Sequence, residues 1–143
     1  MIHTGVFFLV LDQTAKFFVS HSLKLNETIP VIKNIFHITL VFNSGCAFGL
    51  FRDQPGSFFY LASAAAIIPL LYFLARHKNE NIFHNLAVVL IIFGSISNLA
   101  DRLRLGYIID FLDFRVWPVF NFGDTAITIG VLIFLLRLFI CRT

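Results

Sequence analysis

The sequence predicts an α-helical membrane protein with four transmembrane helices and a small extramembrane β-platform between helices 1 and 2. Three observations carry that prediction. Four long apolar segments recur along the chain. The composition is 58% hydrophobic and 13% charged, against about 45–50% and about 25% in soluble domains. There are 19 Phe, more large rings than so short a chain can hide from water. Residues 1–143 are expected to form a single integral membrane domain with no separate soluble unit.

The first segment, Ile2 to Val19, is about 18 residues long, enough to span with little tilt. Asp12, Gln13 and Lys16 interrupt it. A cleaved secretory signal would carry its positive charge before the apolar run, so this segment is expected to be a retained helix. Asp12 and Lys16 stand four residues apart on one helical face, where they can pair. Pairing offsets the cost of about 2.5–3.5 kcal/mol for each lone charge at a helix centre.

Ser20 to Gln54 is too long and too polar for a turn. Ile35 to Leu40 has β-branched residues in partial alternation, and Asn43-Ser44-Gly45 is a turn signal. These residues predict a few short strands on the membrane surface. Asn43 is read either as a cap of its own turn, slightly the stronger reading, or as an amide that holds a carbonyl or carboxylate. Ser57 to Ala75 is the second span, with small residues 62–66 for close helix contact and Pro69 as a kink site. Ile82 to Ser97 begins the third span, and Phe122 to Ile140 is the fourth. Four spans place both termini and the 76–81 connection on one side, with segments 20–56 and 103–121 together on the other. The compact Arg76-x-Lys78 loop weakly favours cytoplasmic termini.

Charge and cysteine usage narrow the function. The net charge of +3 and the pI of about 9.1 arise from scattered groups. No basic run interleaves with aromatics, which argues against nucleic acid as a partner and suits anionic membrane lipids. Cys46 and Cys141 fall on opposite sides of the predicted membrane, so they cannot pair within one chain. They are read as packing residues. His3, His21, His37, His77 and His84 lack metal-ligand spacing, and no metal or other cofactor is expected.

The chemistry concentrates between Gly94 and Asp124. Four of the eight carboxylates lie there: Asp101, Asp110, Asp113 and Asp124. Asp113 reads as an ordinary interfacial loop charge; the other three read as functional. The third span exits where the fourth enters, so Asn98, Asp101, Asp110, Asn121 and Asp124 converge at one membrane face. Asn98, Asp101 and Arg102 share a helical side and can form a strut in which Arg102 offsets negative charge. The apolar run 107–109 would hold Asp110 against the protein. Asp124 falls at a helix start, where the dipole favours negative charge. Two carboxylates in one partly dry site share a proton. The charged one can deprotonate a water while the neutral one donates to a scissile carbonyl. No Ser-Lys or Cys-His pair offers a convincing covalent alternative.

Four blocks in this order resemble the lipoprotein signal peptidase (signal peptidase II) family. They are Asp12-Gln13-x-x-Lys16; Phe42-Asn43-x-Gly45-x-Ala47-Phe48-Gly49; Asn98-x-x-Asp101-Arg102, followed by Gly106-Tyr107 and Asp110-Phe111; and Trp117-Pro118-x-Phe120-Asn121-x-x-Asp124. The resemblance implies an aspartic endopeptidase of the bacterial inner membrane. Such an enzyme cuts prolipoproteins before their diacylglyceryl-modified cysteine, near the outer face and without metal. It implies that Asp110 and Asp124 are catalytic, supported by Asp12, Lys16, Asn43, Asn98, Asp101, Arg102 and Asn121. The chain departs from the pattern at Ser97, where the family usually has Gly, at Cys46, where a small Gly or Ala is usual, and at Gly123, where Ala is usual. All three remain small, so altered packing or substrate preference is expected rather than lost chemistry. The competing class is a proton-coupled transporter or channel subunit, but its acids would be strung through the membrane depth, and here only Asp12 sits deep. A non-enzymatic scaffold would leave Asp110 and Asp124 without a role.

Overall fold

A computed structural model describes residues 2–45, 56–76 and 82–140. Cys46, Cys141, the Ala47-Phe48-Gly49 part of the second block, and Lys78 lie outside them. Four helices carry the fold: α1 (Ile2–Ser22), α2 (Gly56–Arg76), α3 (Ile82–Leu105) and α4 (Phe122–Ile140). Ile2–Ser22, Ser57–Arg76 and Ile82–Leu105 are long and apolar enough to cross a membrane. The 19 residues of α4 extend about 28 Å at about 1.5 Å per residue.

The packing inverts the pattern of a soluble bundle. In α1 the buried residues are Gly5, Asp12 and Lys16, while Phe7, Val10, Phe17 and Phe18 face outward. Charged groups turned in and rings turned out are stable only where the surroundings are apolar. α3 is the hub, touching α1, α2, α4 and the sheet. Its buried side runs from Asn85 through Val88 and Ile92 to Ser97, Asn98 and Asp101. α3 and α4 meet backbone to backbone. A Cβ on Gly94 would collide with the Gly123 carbonyl, and one on Gly130 would come within 2.6 Å of the Ala87 carbonyl. Small residues permit this approach, which apolar surroundings otherwise do little to drive.

Among the described residues three antiparallel strands form the platform, in the order β1 (Thr28–Ile32), β2 (Phe36–Asn43) and β3 (Ile108–Asp113). The platform expected between the first two helices is present as β1 and β2, and a strand from the α3–α4 connection extends it. All six β3 residues are buried, so the strand lacks the apolar–polar alternation that marks a half-exposed one. Gly106 ends α3 at φ +84°, and its N–H bonds the Arg102 carbonyl at 3.0 Å. A left-handed glycine just past a helix terminates it and redirects the chain, here straight into β3. Beyond the strand the chain folds back, with Phe120 and Leu112 exchanging backbone hydrogen bonds at 2.8 and 3.1 Å.

Candidate active site

Sheet register brings the first pair of site residues together. Val41 lies opposite Asp110, and Asn43 opposite Ile108. From there Asn43 Nδ2 donates to Asp110 Oδ2 at 3.0 Å, while its Oδ1 accepts from Gly45 N at 3.0 Å. The two readings of Asn43 are therefore compatible, since one amide caps the turn and holds the carboxyl.

Asp124 is placed by the start of α4. Asn121 precedes the helix, and its Oδ1 accepts from Asp124 N at 2.8 Å; Asp124 Oδ2 reaches back to Asn121 N at a longer 3.4 Å. This is the reciprocal capping geometry expected of a polar residue followed three positions later by an acid. Asn121 Nδ2 also donates to Asp110 Oδ1 at 2.6 Å and to Asn98 Oδ1 at 3.1 Å. One side chain thus links the Asp110 carboxyl to the Asp124 backbone. Asn98 Nδ2 completes the ring by donating to Asp124 Oδ1 at 2.7 Å.

Both acids open onto one cavity of about 830 Å³, whose polar end also holds Asn43, Asn98 and Arg102. Phe58, Phe59, Trp117 and Ile127 line its apolar part, with Ala62, Ala66 and Ser95 giving it room. Burial, followed by the charge of Asp124, pushes Asp110 from 3.8 up to about 7; hydrogen bonds from Asn43 and Asn121 and the charge of Lys16 only partly oppose this. Its partners are neutral amides, which leave the desolvation cost of a charged carboxyl largely standing.

Lys16 is 2% exposed and lies 2.6 Å from Asp12 Oδ2, 2.8 Å from Asp101 Oδ2 and 3.0 Å from Asn98 Oδ1. The expected local pair with Asp12 is present and widened to three acceptors, the full donor capacity of an ammonium. Asn98 Oδ1 is thereby turned to Lys16 and Asn121, which directs its Nδ2 to Asp124. Asp101 also accepts from Ile109 N at 3.3 Å, the residue before Asp110.

The strut expected of Asn98, Asp101 and Arg102 is divided between two places. Arg102 donates to the Gly45 carbonyl at 2.9 Å and lies over the Phe59 ring, 4.6 Å from its centroid. The cation beside Asp101, apart from Lys16, is Arg104 at 3.2 Å. Asp113 is likewise no loose interfacial charge. It is buried, accepts from Thr39 Oγ1 at 2.7 Å and Arg115 N at 2.8 Å, and pairs with Arg115 Nη1 at 3.0 Å. Burial raises its carboxyl, but these bonds outweigh burial and hold it below the usual value. Sequence reasoning also passed over Gln13, which donates to Asp101 Oδ1 and Ser97 Oγ, each at 2.9 Å, and is bonded by Arg104. Its place beside Asp12 was the available signal.

Known proteins resemble the chain along most of its length. A family model described as signal peptidase (SPase) II matches residues 4–140. The lipoprotein signal peptidase of Halothermothrix orenii is 38% identical over 130 residues, 91% of this chain and 88% of its own. That of Moorella thermoacetica is 41% identical over 125 residues, 87% of this chain and 83% of its own. A solved bacterial membrane enzyme structure matches with a TM-score of 0.89 at 29% identity, covering 94% of this chain and 84% of that one. With the resemblance read from the four sequence blocks thus supported along nearly the whole chain, this integral membrane protein belongs to the signal peptidase II family of bacterial proteases.

Proposed function

We propose that the protein is an aspartic endopeptidase of the bacterial inner membrane. It removes the signal peptide from diacylglyceryl-modified prolipoproteins by cutting before the lipidated cysteine. Its site opens near the outer face, and Asp110 and Asp124 are the catalytic pair. The observation that carries this reading is that Asn121 bonds the Asp110 carboxyl and the Asp124 backbone N–H, with both acids lining one mainly apolar cavity.

One proton is shared by the pair. Asp110, raised to about 7, holds it near neutral pH, and Asp124 is the base. Asp124 takes a proton from a water, whose oxygen adds to the scissile carbonyl carbon, while Asp110 hydrogen-bonds the carbonyl oxygen. Collapse of the tetrahedral intermediate breaks the C–N bond as the leaving nitrogen takes the proton from Asp124. The products are a free carboxylate on the signal peptide and a free amine on the modified cysteine. The substrate is itself a lipid-bearing membrane segment, so it enters sideways from the bilayer. The aromatic and small residues of the cavity suit acyl chains and an extended backbone. Asn98, Asn121 and Asn43 orient the acids; Asp12, Lys16 and Asp101 hold those amides and the strand start in place; Arg102 braces the turn at Gly45.

The test is cleavage of a diacylglyceryl-modified prolipopeptide by the purified protein. Cleavage is expected with the modified peptide, but not with Asp110→Asn or Asp124→Asn protein that still inserts and folds. Full cleavage by both variants would remove the two acids from the reaction.

A further inference from the structure

Ser97 is completely buried on the side of α3 that meets α1. Its Oγ donates to Asp12 Oδ2 at 2.6 Å and accepts from Gln13 Nε2 at 2.9 Å. The other oxygen of the same carboxylate, Asp12 Oδ1, accepts from Gly123 N at 3.0 Å. Gly123 immediately precedes Asp124. A continuous line of hydrogen bonds therefore runs from a hydroxyl on α3, through an acid on α1, to the backbone of the first turn of α4.

Two features make the Ser97 end of this line consequential. Glycine has the greatest backbone freedom of any residue, and here it sits where the position of Asp124 is decided. Lys16, the other donor to Asp12 Oδ2, divides its three donors among Asp12, Asp101 and Asn98. The hydroxyl adds a second donor to Oδ2, so the plane of the carboxylate is held from two helices with Oδ1 aimed at Gly123. Ser97 and Gly123 are also the two described positions at which the sequence departs from the pattern it otherwise resembles, and Asp12 joins them.

We infer that Ser97 is a positioning residue of the proteolytic site: through Asp12 it holds the Gly123 N–H and so sets where Asp124 stands relative to Asp110. The inference rests on the proposed role of the two acids. A group held by fixed supporting hydrogen bonds keeps its productive geometry, and loss of such support lowers turnover before it lowers binding.

Full-length protein carrying Ser97→Ala is compared with the parent on the modified prolipopeptide, together with hydrogen exchange of the peptide spanning 121–125. The expected result is a kcat lower by about 5- to 30-fold with KM within about twofold, and faster exchange confined to 121–125. Ser97→Thr, which keeps the hydroxyl, should restore most of the turnover. On an Asp12→Asn background, Ser97→Ala should add little, because the hydroxyl acts through Asp12. Unchanged kcat and unchanged exchange would overturn the inference. So would a loss of turnover with exchange rising evenly along α3 and α4, which marks a packing role only. A parent protein that leaves the peptide intact counts against the endopeptidase reading, and the exchange pattern alone then decides whether Ser97 holds the start of α4.

Discussion

Two pairs of acids, Asp12 with Asp101 and Asp110 with Asp124, have opposite surroundings. Asp12 and Asp101 are fully buried, share the Lys16 ammonium, and Asp101 has Arg104 besides. Asp110 and Asp124 are bonded by Asn43, Asn98 and Asn121, which are neutral amides. Burial alone does not make a carboxyl reactive. Held by neutral amides, the Asp110 carboxyl is pushed by burial, and then by the charge of Asp124, up to about 7, which keeps a proton within reach of neutral pH. On the proposed reading, the first pair builds the scaffold and the second does the acid–base work.

Substitutions should separate the two pairs by what they destroy. Asp110→Asn or Asp124→Asn should lower cleavage by about 10³-fold or more, within the range attributed to acid–base groups. For Asp110→Asn the unfolding free energy in detergent should stay within about 1 kcal/mol of the parent, since the fold already favours the neutral carboxyl and the amide replaces it at the cost of about one hydrogen bond. Lys16→Met should do the reverse. It leaves buried Asp12 without a cation and Asp101 with only the exposed Arg104, at a cost of about 3–5 kcal/mol, read as a lower unfolding midpoint before any assay is run. A Lys16→Met protein as stable as the parent would erase the distinction.

The same contrast sets a pH dependence. Asp110 is raised from 3.8 to about 7, so its neutral form is the one the fold favours. Its contribution to stability is complete below pH 3.8 and is lost as pH rises through about 7. Between those values stability should fall with pH, by at most about 1.4 kcal/mol per unit for a single proton. Asp110→Asn should flatten that slope. Turnover should decline above about pH 7 as the shared proton leaves, and the apparent value there belongs to the pair rather than to one residue.

How much of this was legible in the chain depended on the distance over which each contact acts. The helices announced themselves because apolar surroundings impose long hydrophobic runs. The convergence of Asp110 with Asp124 followed from where two spans exit and enter. The Asp12–Lys16 pair was visible at four residues' spacing. Its extension to Asp101 and Asn98 joins residues more than eighty positions apart, which no local pattern records. β3 was missed for a related reason: buried on both faces, it lost its alternation, and its partner strand lies across α2 and α3 in sequence. Spacing singled out Arg102 on α3, and the pairing of Arg104 with Asp101 adds a second cation that it left aside.

The smallest effect is expected at Asp113, which completes the comparison as an acid of the same strand with the opposite shift. Thr39 and Arg115 hold it below its usual value despite burial, and its bond to Arg115 N closes a turn in which Arg115 sits at φ 65°. Because its folded value is lowered, its stabilisation is present above 3.8 and is lost as pH falls through the folded value. Asp113→Asn keeps an acceptor for Arg115 N and gives up the ion pair with a half-exposed guanidinium, worth about 0.2–1 kcal/mol. The unfolding midpoint at neutral pH should therefore drop slightly, with kcat unchanged. Asp113 stands three positions from Asp110 on one buried strand, so a collapse of turnover here would mean that the platform transmits any disturbance, and that partner chemistry does not set the proposed reactive pair apart.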